Sequence, residues 1–395
     1  MGAACAVYRD GRKVVDLWGG YRIGLTRAPW EEDTLVPVLS TTKGVASMAL
    51  AVAHSRGLID YDARVVDHWP EFAANGKERI TVRQLLSHQA GLCAIDEKLD
   101  LHDLLDLDRI AGVIARQEPK WEPGTRHGYH AITLGWYEGE LIRKVDPQGR
   151  SLGRFFAEEV ARPLGVEFYI GLPDAVPDER IATIHGYKPA EMLLHLHEFP
   201  PAFVFSFLNP WSVTYRTFGN PRILGLVNEY NRRELVRAEI PASSGVGRVR
   251  DIARAYGEFA TGGPTLGLTG ETLDALSLPA VAPSARLAGA SRSPARSDRG
   301  VARPRARHQQ RDPFGCGTHL VDRGRGAPGC QDRGHRRRPG PSRAKGPGPF
   351  ATSGRGLRWV DALADDWGVA PRQLTHVWFQ VPLEGEVSEP AGSRP

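Results

Sequence analysis

One change of character along the chain bounds what these 395 residues can fold into. Residues 281–350 hold nine Pro, eleven Gly, fifteen Arg and one Lys, with neither a helical nor a strand period among their apolar positions. Such a stretch buries too little apolar surface to offset the entropy of ordering it, so disorder is expected there. A sizeable core must then come from residues 1–280, followed after the break by a short folded fragment over 351–385 and a loose tail over 386–395. The same break explains the charge. The basic segment carries sixteen Lys and Arg against four Asp, leaving the remainder with 35 basic and 42 acidic groups, so the formal +5 belongs to one segment. That segment can adsorb polyanions weakly, but it has no regular aromatic interleaving and no recognisable module for specific nucleic-acid binding.

Residues 1–280 read as a mixture of strands and helices. A hairpin is expected over Ala4–Gly19, turning at Asp10-Gly11. A helix is expected from near Ser40, with Val45, Met48, Ala49 and Val52 on one buried face and Gly57 as its stop. Further helices are expected over Ile80–His88 with Thr81 as N-cap, over His130–Lys144 and over Val249–Ala260. Beyond the basic segment, Gly354–Gly368 suggests a helix and Thr375–Val381 a strand. No stretch approaches the roughly 18–20 apolar residues of a membrane span. The opening Met1-Gly-Ala-Ala-Cys-Ala lacks the basic, apolar and cleavage regions of a secretory leader, so a cytoplasmic location is expected. Cys5, Cys93, Cys316 and Cys330 are far apart and read as free thiols.

The chemistry concentrates in Leu39-Ser-Thr-Thr-Lys-Gly-Val. Ser40 and Lys43 stand three residues apart, so on a helix they share a face and the amine can reach the hydroxyl. A Ser at the helix N-terminus adds free N–H groups and the positive end of the dipole, which favour developing negative charge. A desolvated Lys of lowered pKa can then take the Ser proton. The pattern recurs at Ser342-Arg-Ala-Lys345, inside the Pro/Gly-rich segment where no helix is expected to present it. His195-Leu-His197 has the spacing of two metal ligands on a strand, but no carboxylate or cysteine pattern completes a site.

Four stretches stand in one order: Leu39–Val45, Gly57-Leu-Ile-Asp-Tyr-Asp62, Ile80-Thr-Val-Arg-Gln-Leu-Leu-Ser-His-Gln-Ala-Gly-Leu92 and Pro123-Gly-Thr-Arg-His-Gly-Tyr-His-Ala-Ile-Thr-Leu-Gly135. Together they resemble the class C β-lactamase / DD-peptidase superfamily of serine hydrolases, in its esterase-like branch, over roughly residues 1–280. The resemblance implies an α+β fold of the β-lactamase/transpeptidase-like kind. That fold is an antiparallel sheet flanked by helices with a helical subdomain, here expected to be truncated at both ends. It also implies Ser40 as nucleophile, Lys43 as its base partner and Tyr129 as the proton relay to the leaving group, with no cofactor and no metal. His130-Ala131 stands where the family carries a polar pair after that Tyr.

The family also carries a Lys-Thr-Gly or a His/Trp-x-Gly on a strand beside the nucleophile, where its backbone supplies half of the oxyanion hole. No such strand motif is found here; Gly334-His-Arg-Arg-Arg-Pro-Gly340 lies in the basic segment. The expected function is carboxylesterase-like hydrolysis of a small ester or amide through an acyl-enzyme, impaired by loss of the third motif. The alternative is a catalytically inactive relative with a binding or scaffold role, or a truncated or frameshifted product. Arg/Gly/Pro-rich sequence without period is what GC-rich DNA yields when read in a wrong frame. Finally, Ser353-Gly-Arg-Gly-Leu-Arg-Trp-Val-Asp-Ala-Leu-Ala-Asp-Asp-Trp-Gly-Val369 resembles the end of an anti-sigma-factor type of histidine-kinase-like ATPase. Its Mg²⁺-holding helix is not identifiable, so this is read as a fragment and no ATP site is expected.

Overall fold

The helix that follows Ser40 is the axis of the larger unit. In the computed structural model, which describes residues 2–186 and 199–278 and the backbone of two later strands, helix α1 runs over Thr41–Ser55. Val45, Met48, Ala49 and Val52 are buried as their spacing predicts, but so are Ala46, Leu50, Ala51 and Ala53. The small residues on the second face let other helices approach closely, so α1 is central where an amphipathic surface helix was expected. It ends on Gly57 at φ +69, with Gly57 N–H donating to the His54 carbonyl and Leu58 N–H to that of Ala53, the paired bonds of a left-handed glycine stop.

Four further helices follow, α2 (Val82–Leu86), α3 (Leu107–Arg116), α4 (Thr133–Val145) and α5 (Leu152–Phe156); α4 and α5 pack on α1, and α2 and α3 pack on α4. Thr81 caps α2 as expected, accepting from Gln84 N–H at 3.2 Å while the Gln84 side chain returns to the Thr81 N–H at 3.1 Å. Asp106 caps α3 through the N–H groups of Asp108 and Arg109. One apolar cluster joins these helices, with Trp69, Phe72, Tyr137, Phe155 and Phe156 among its fully buried members. Helices α6 (Val249–Ala260) and α7 (Gly270–Ser277) close the described part of this unit, α6 with the bounds its sequence predicts.

The expected hairpin is strands β1 (Ala3–Arg9) and β2 (Arg12–Gly19), joined at Asp10-Gly11 with φ +49 and +74. Two positive φ values at the turn match the strand twist. Strands β3 (Tyr21–Ile23) and β4 (Ala28–Pro29) form a second antiparallel pair. A third sheet has the order β5 (Val36–Pro37), β7 (Val246–Gly247), β6 (Phe168–Tyr169), antiparallel throughout. It matters most for the site, because β5 delivers the chain to Ser40 and β7 leads away from a neighbouring loop.

Two expectations are corrected. Helix α4 begins at Thr133 and not at His130, because the His130 N–H donates to His88 Nδ1 and the His130 ring accepts from Leu92 N–H, which holds this residue to the turn at His88–Leu92. In the second unit, Asp366–Pro371 is strand β8, paired antiparallel with β9 (Thr375–Gln380). The end of the helix expected over Gly354–Gly368 is therefore extended. Gly368 and Pro371 disfavour a helix, and the ladder sets Trp367 opposite Phe379 and Val369 opposite Val377. The expected strand at Thr375 is β9. The basic segment 281–350, His195-Leu-His197, Ser342–Lys345 and the remainder of the ATPase-like stretch lie outside the described residues. Among the described residues, no helix is long and apolar enough to cross a membrane.

Candidate active site

Strand β5 stops at Pro37, and Leu39 then turns the chain with φ +47, a left-handed value that costs energy for a residue with a branched side chain. Local bonds hold the turn. Val38 N–H donates to the Gly245 carbonyl at 2.9 Å, Gly245 N–H donates to Thr42 Oγ1 at 2.9 Å, and Thr42 Oγ1 donates to the Leu39 carbonyl. A Cβ on Gly245 would stand 2.5 Å from Thr42 Oγ1 and 2.6 Å from Phe168 Cζ, so glycine is what lets the strand approach the helix here. The turn sets Ser40 at the N-cap of α1, yet its side chain makes no capping bond. Its hydroxyl is used elsewhere.

Ser40 Oγ accepts from Lys43 Nζ at 3.1 Å and from Tyr129 Oη at 3.2 Å. All three residues singled out in the sequence thus meet on one oxygen. Lys43 is 8 % exposed and also donates to the Ala242 carbonyl at 2.9 Å, while its ammonium lies 5.0 Å from the centre of the Tyr129 ring. Burial lowers the Lys43 pKa from its ordinary value; contact with Tyr129 and the more distant Glu138 carboxyl oppose that shift. Tyr129 is 46 % exposed, so this side of the cluster is open. Among the described residues the Ser40 N–H has no hydrogen-bond acceptor, and it sits at the positive end of a fifteen-residue helix with no acidic side chain in its first turn.

Four groups around this cluster were not picked out from the sequence. Ala242 offers only a carbonyl, and nothing in a sequence marks a backbone acceptor 199 residues away. Glu138 on α4 is fully buried; it accepts from Ser47 Oγ at 2.7 Å, and its second oxygen has no partner among the described residues. Burial pushes its carboxyl up to about 8. His88 and His130 lie beside Tyr129, with their Nδ1 atoms 3.1 Å apart, and desolvation pushes them down to about 4 and about 3. Their signal was available: His88 ends the Leu-Leu-Ser-His stretch, and His130 stands where the family carries a polar residue.

Among the described residues no group of three or more metal-ligating side chains converges. The arrangement can do acyl transfer: a hydroxyl at a helix N-terminus, a desolvated amine touching it and a phenol able to pass protons.

A model of the Beta-lactamase family matches residues 1–373. The esterase/beta-lactamase LipL of Mycobacterium tuberculosis is 35 % identical over 276 residues, covering 68 % of this chain and 60 % of LipL. This chain therefore spans less than two thirds of that relative. Among solved structures, a family VIII carboxylesterase is 39 % identical with a TM-score of 0.60, covering 69 % of each chain. EstA from Arthrobacter nitroguajacolicus Rue61a is 34 % identical with a TM-score of 0.57, covering 69 % of this chain and 68 % of EstA.

Proposed function

From the premise that the chain belongs to the Beta-lactamase family, we propose that it is a serine hydrolase that cleaves small carboxylic esters through an acyl-enzyme on Ser40. The observation that carries this reading is the convergence of Lys43 Nζ and Tyr129 Oη on Ser40 Oγ at 3.1 and 3.2 Å. Esters are preferred to β-lactams or peptides because the solved structure 39 % identical to this chain is a carboxylesterase, and no Lys-Thr-Gly that could hold a substrate carboxylate is found in the sequence.

The steps follow from the contacts. Neutral Lys43 takes the Ser40 proton, directly or through the Tyr129 hydroxyl, as Oγ bonds to the ester carbonyl carbon. The carbonyl oxygen becomes an oxyanion and accepts from the Ser40 N–H. When the intermediate collapses, the C–O bond to the alcohol breaks, and the alkoxide takes the proton back from Lys43 by way of Tyr129. Water then attacks the acyl carbon, giving up its proton by the same route. The acid leaves and Ser40 Oγ–H is restored.

A second reading has one observation in its favour. The Gly-bearing strand that would give a second oxyanion donor is not found among the described residues, and loss of one donor costs on the order of 10²–10³ in rate. On that reading the chain is an inactive relative. Nitrophenyl-ester hydrolysis and fluorophosphonate labelling of the full chain, beside Ser40→Ala, decide between them. Label and turnover in the wild type that vanish in the variant support the hydrolase; neither in both supports the inactive relative.

A further inference from the structure

His88 bonds to the backbone of the residue on each side of Tyr129. Its carbonyl accepts from Gly128 N–H at 3.1 Å, and its Nδ1 accepts from His130 N–H at 3.1 Å. Tyr129, whose phenol touches Ser40, lies between these two anchored residues. The His88 ring also meets the Tyr129 ring edge-on, with centres 5.2 Å apart at 62°. His88 itself is set by a left-handed φ of +64. The turn it begins is tied further to the same loop, through Gly124 N–H to the Gln89 carbonyl at 3.0 Å and Lys120 N–H to the Gly91 carbonyl at 2.7 Å.

The second histidine fixes the tautomer of the first. His130 is fully buried, and its Nε2 accepts from Leu92 N–H at 2.9 Å, so that nitrogen is bare. A neutral His130 then carries its hydrogen on Nδ1, which faces His88 Nδ1 at 3.1 Å. His88 Nδ1 already accepts from a backbone N–H, so it too is bare, and the His88 hydrogen sits on Nε2. The donors run in one direction, from Leu92 through His130 to His88. A proton added to either bare nitrogen sets N–H against N–H and breaks a bond that holds the loop. The surroundings also oppose protonation: Lys43 and His127 face His88, His127 faces His130, and desolvation acts on both rings.

We infer that His88 and His130 are positioning residues: a neutral, tautomer-locked histidine pair that ties down the chain at Gly128 and His130, the neighbours of Tyr129, and so fixes its hydroxyl against Ser40. The inference rests on the proposed hydrolase for its kinetic consequence, but not for its chemical state. A displacement of about 1 Å in a catalytic group can cost on the order of 10²-fold in rate.

Two measurements test it on the full chain. Kinetically, His88→Ala should lower kcat at least tenfold with KM nearly unchanged. His88→Asn should restore most of it, because Asn tolerates a left-handed backbone and its Oδ1 occupies the place of the accepting nitrogen. In a Tyr129→Phe background His88→Ala should cost nothing further. Multiplicative losses in the double variant, or an Asn variant as poor as the Ala one, overturn the clamp. Spectroscopically, long-range ¹H–¹⁵N spectra of ¹⁵N-histidine protein, assigned with His88→Asn and His130→Gln, should show His88 as the Nε2–H form and His130 as the Nδ1–H form at pH 7. Either ring in the opposite tautomer, or charged at pH 6, overturns it as well. If the wild type turns over no ester, the hydrolase reading fails while the tautomers still decide the clamp.

Discussion

The Ala242 carbonyl accepts from Lys43 Nζ at 2.9 Å, and the backbone that carries it rests on Gly135. A Cβ built on Gly135 would stand 2.2 Å from Ala242 N and 2.6 Å from the Pro241 carbonyl carbon, with no flexible side chain to give way. The Lys43 amine is therefore aimed by a helix–loop contact that only glycine allows. Gly135→Ala should push the 241–242 backbone outward and release one hydrogen bond on Lys43. Overpacking of this kind costs about 1–3 kcal/mol. The expected result is a lower denaturation midpoint together with a kcat loss larger than that of a control substitution at the looser Gly139, whose Cβ meets only Pro241 Cγ at 3.9 Å. Equal kcat for the two variants would remove the argument.

Glu138 is predicted to be a stability liability that grows with pH. Its carboxyl is raised from 4.5 to about 8, chiefly by burial, with the Ser47 hydrogen bond and Lys43 opposing. The folded protein holds this proton more tightly than the unfolded chain. The stability it confers is full below about pH 4.5 and is lost as pH rises to 8. Glu138→Gln keeps the shape and an acceptor for Ser47 but cannot ionise. Its melting temperature relative to wild type should be higher at pH 8.5 than at pH 5. A melting difference that is the same at both pH values would contradict the assignment.

What the sequence made legible was local. Ser40 before an amphipathic run, Thr81 with Gln84, and Asp10-Gly11 between apolar strands each carry their structural reason within a few residues. The family pattern then joined Ser40, Lys43 and Tyr129 across 89 positions, as the distances now do. The missed groups share a different property. The Ala242 carbonyl acts through its backbone, His88 acts through a left-handed backbone and one ring nitrogen, and Glu138 matters because α4 turns it inward. The carbonyl and the inward turn of Glu138 leave no residue-type signal, whereas His88 stands at the end of the Leu-Leu-Ser-His stretch. Helix α1 likewise looked one-faced because alanine on its second face reads as neutral, although there it allows close packing.

Arg150 is predicted to stabilise the fold strongly although it lies outside the site. Its side chain is 5 % exposed and donates to both oxygens of Asp146, at 2.9 Å each, and to Glu158 and Glu159 at 2.6 and 2.7 Å. Arg56 joins Glu159 at 2.7 Å, tying the end of α1 to this cluster. Removing Arg150 leaves the buried Asp146 carboxylate uncompensated, which costs about 3–5 kcal/mol. Arg150→Met should lower the unfolding free energy obtained from urea titration by that order, and a second change, Asp146→Asn, should recover part of it by deleting the stranded charge. If the double variant is no more stable than Arg150→Met, the loss is one of packing and not of charge.

The histidine pair sets the acid edge of stability. His88 and His130 are lowered from 6.5 to about 4 and about 3, so the unfolded chain takes up their protons at a higher pH than the folded one. Stability from this source is full above about 6.5 and is lost as pH falls through 4 and towards 3. His130→Gln can still accept from Leu92 N–H but does not titrate. It should start from a lower urea midpoint at pH 7, because the fit around a fully buried ring is disturbed. It should then lose less stability than the wild type between pH 7 and pH 5. The comparison is of slopes, so the variant's lower starting stability does not confuse it. Identical slopes would mean that His130 titrates alike in the folded and unfolded chains, which its bond to Leu92 forbids.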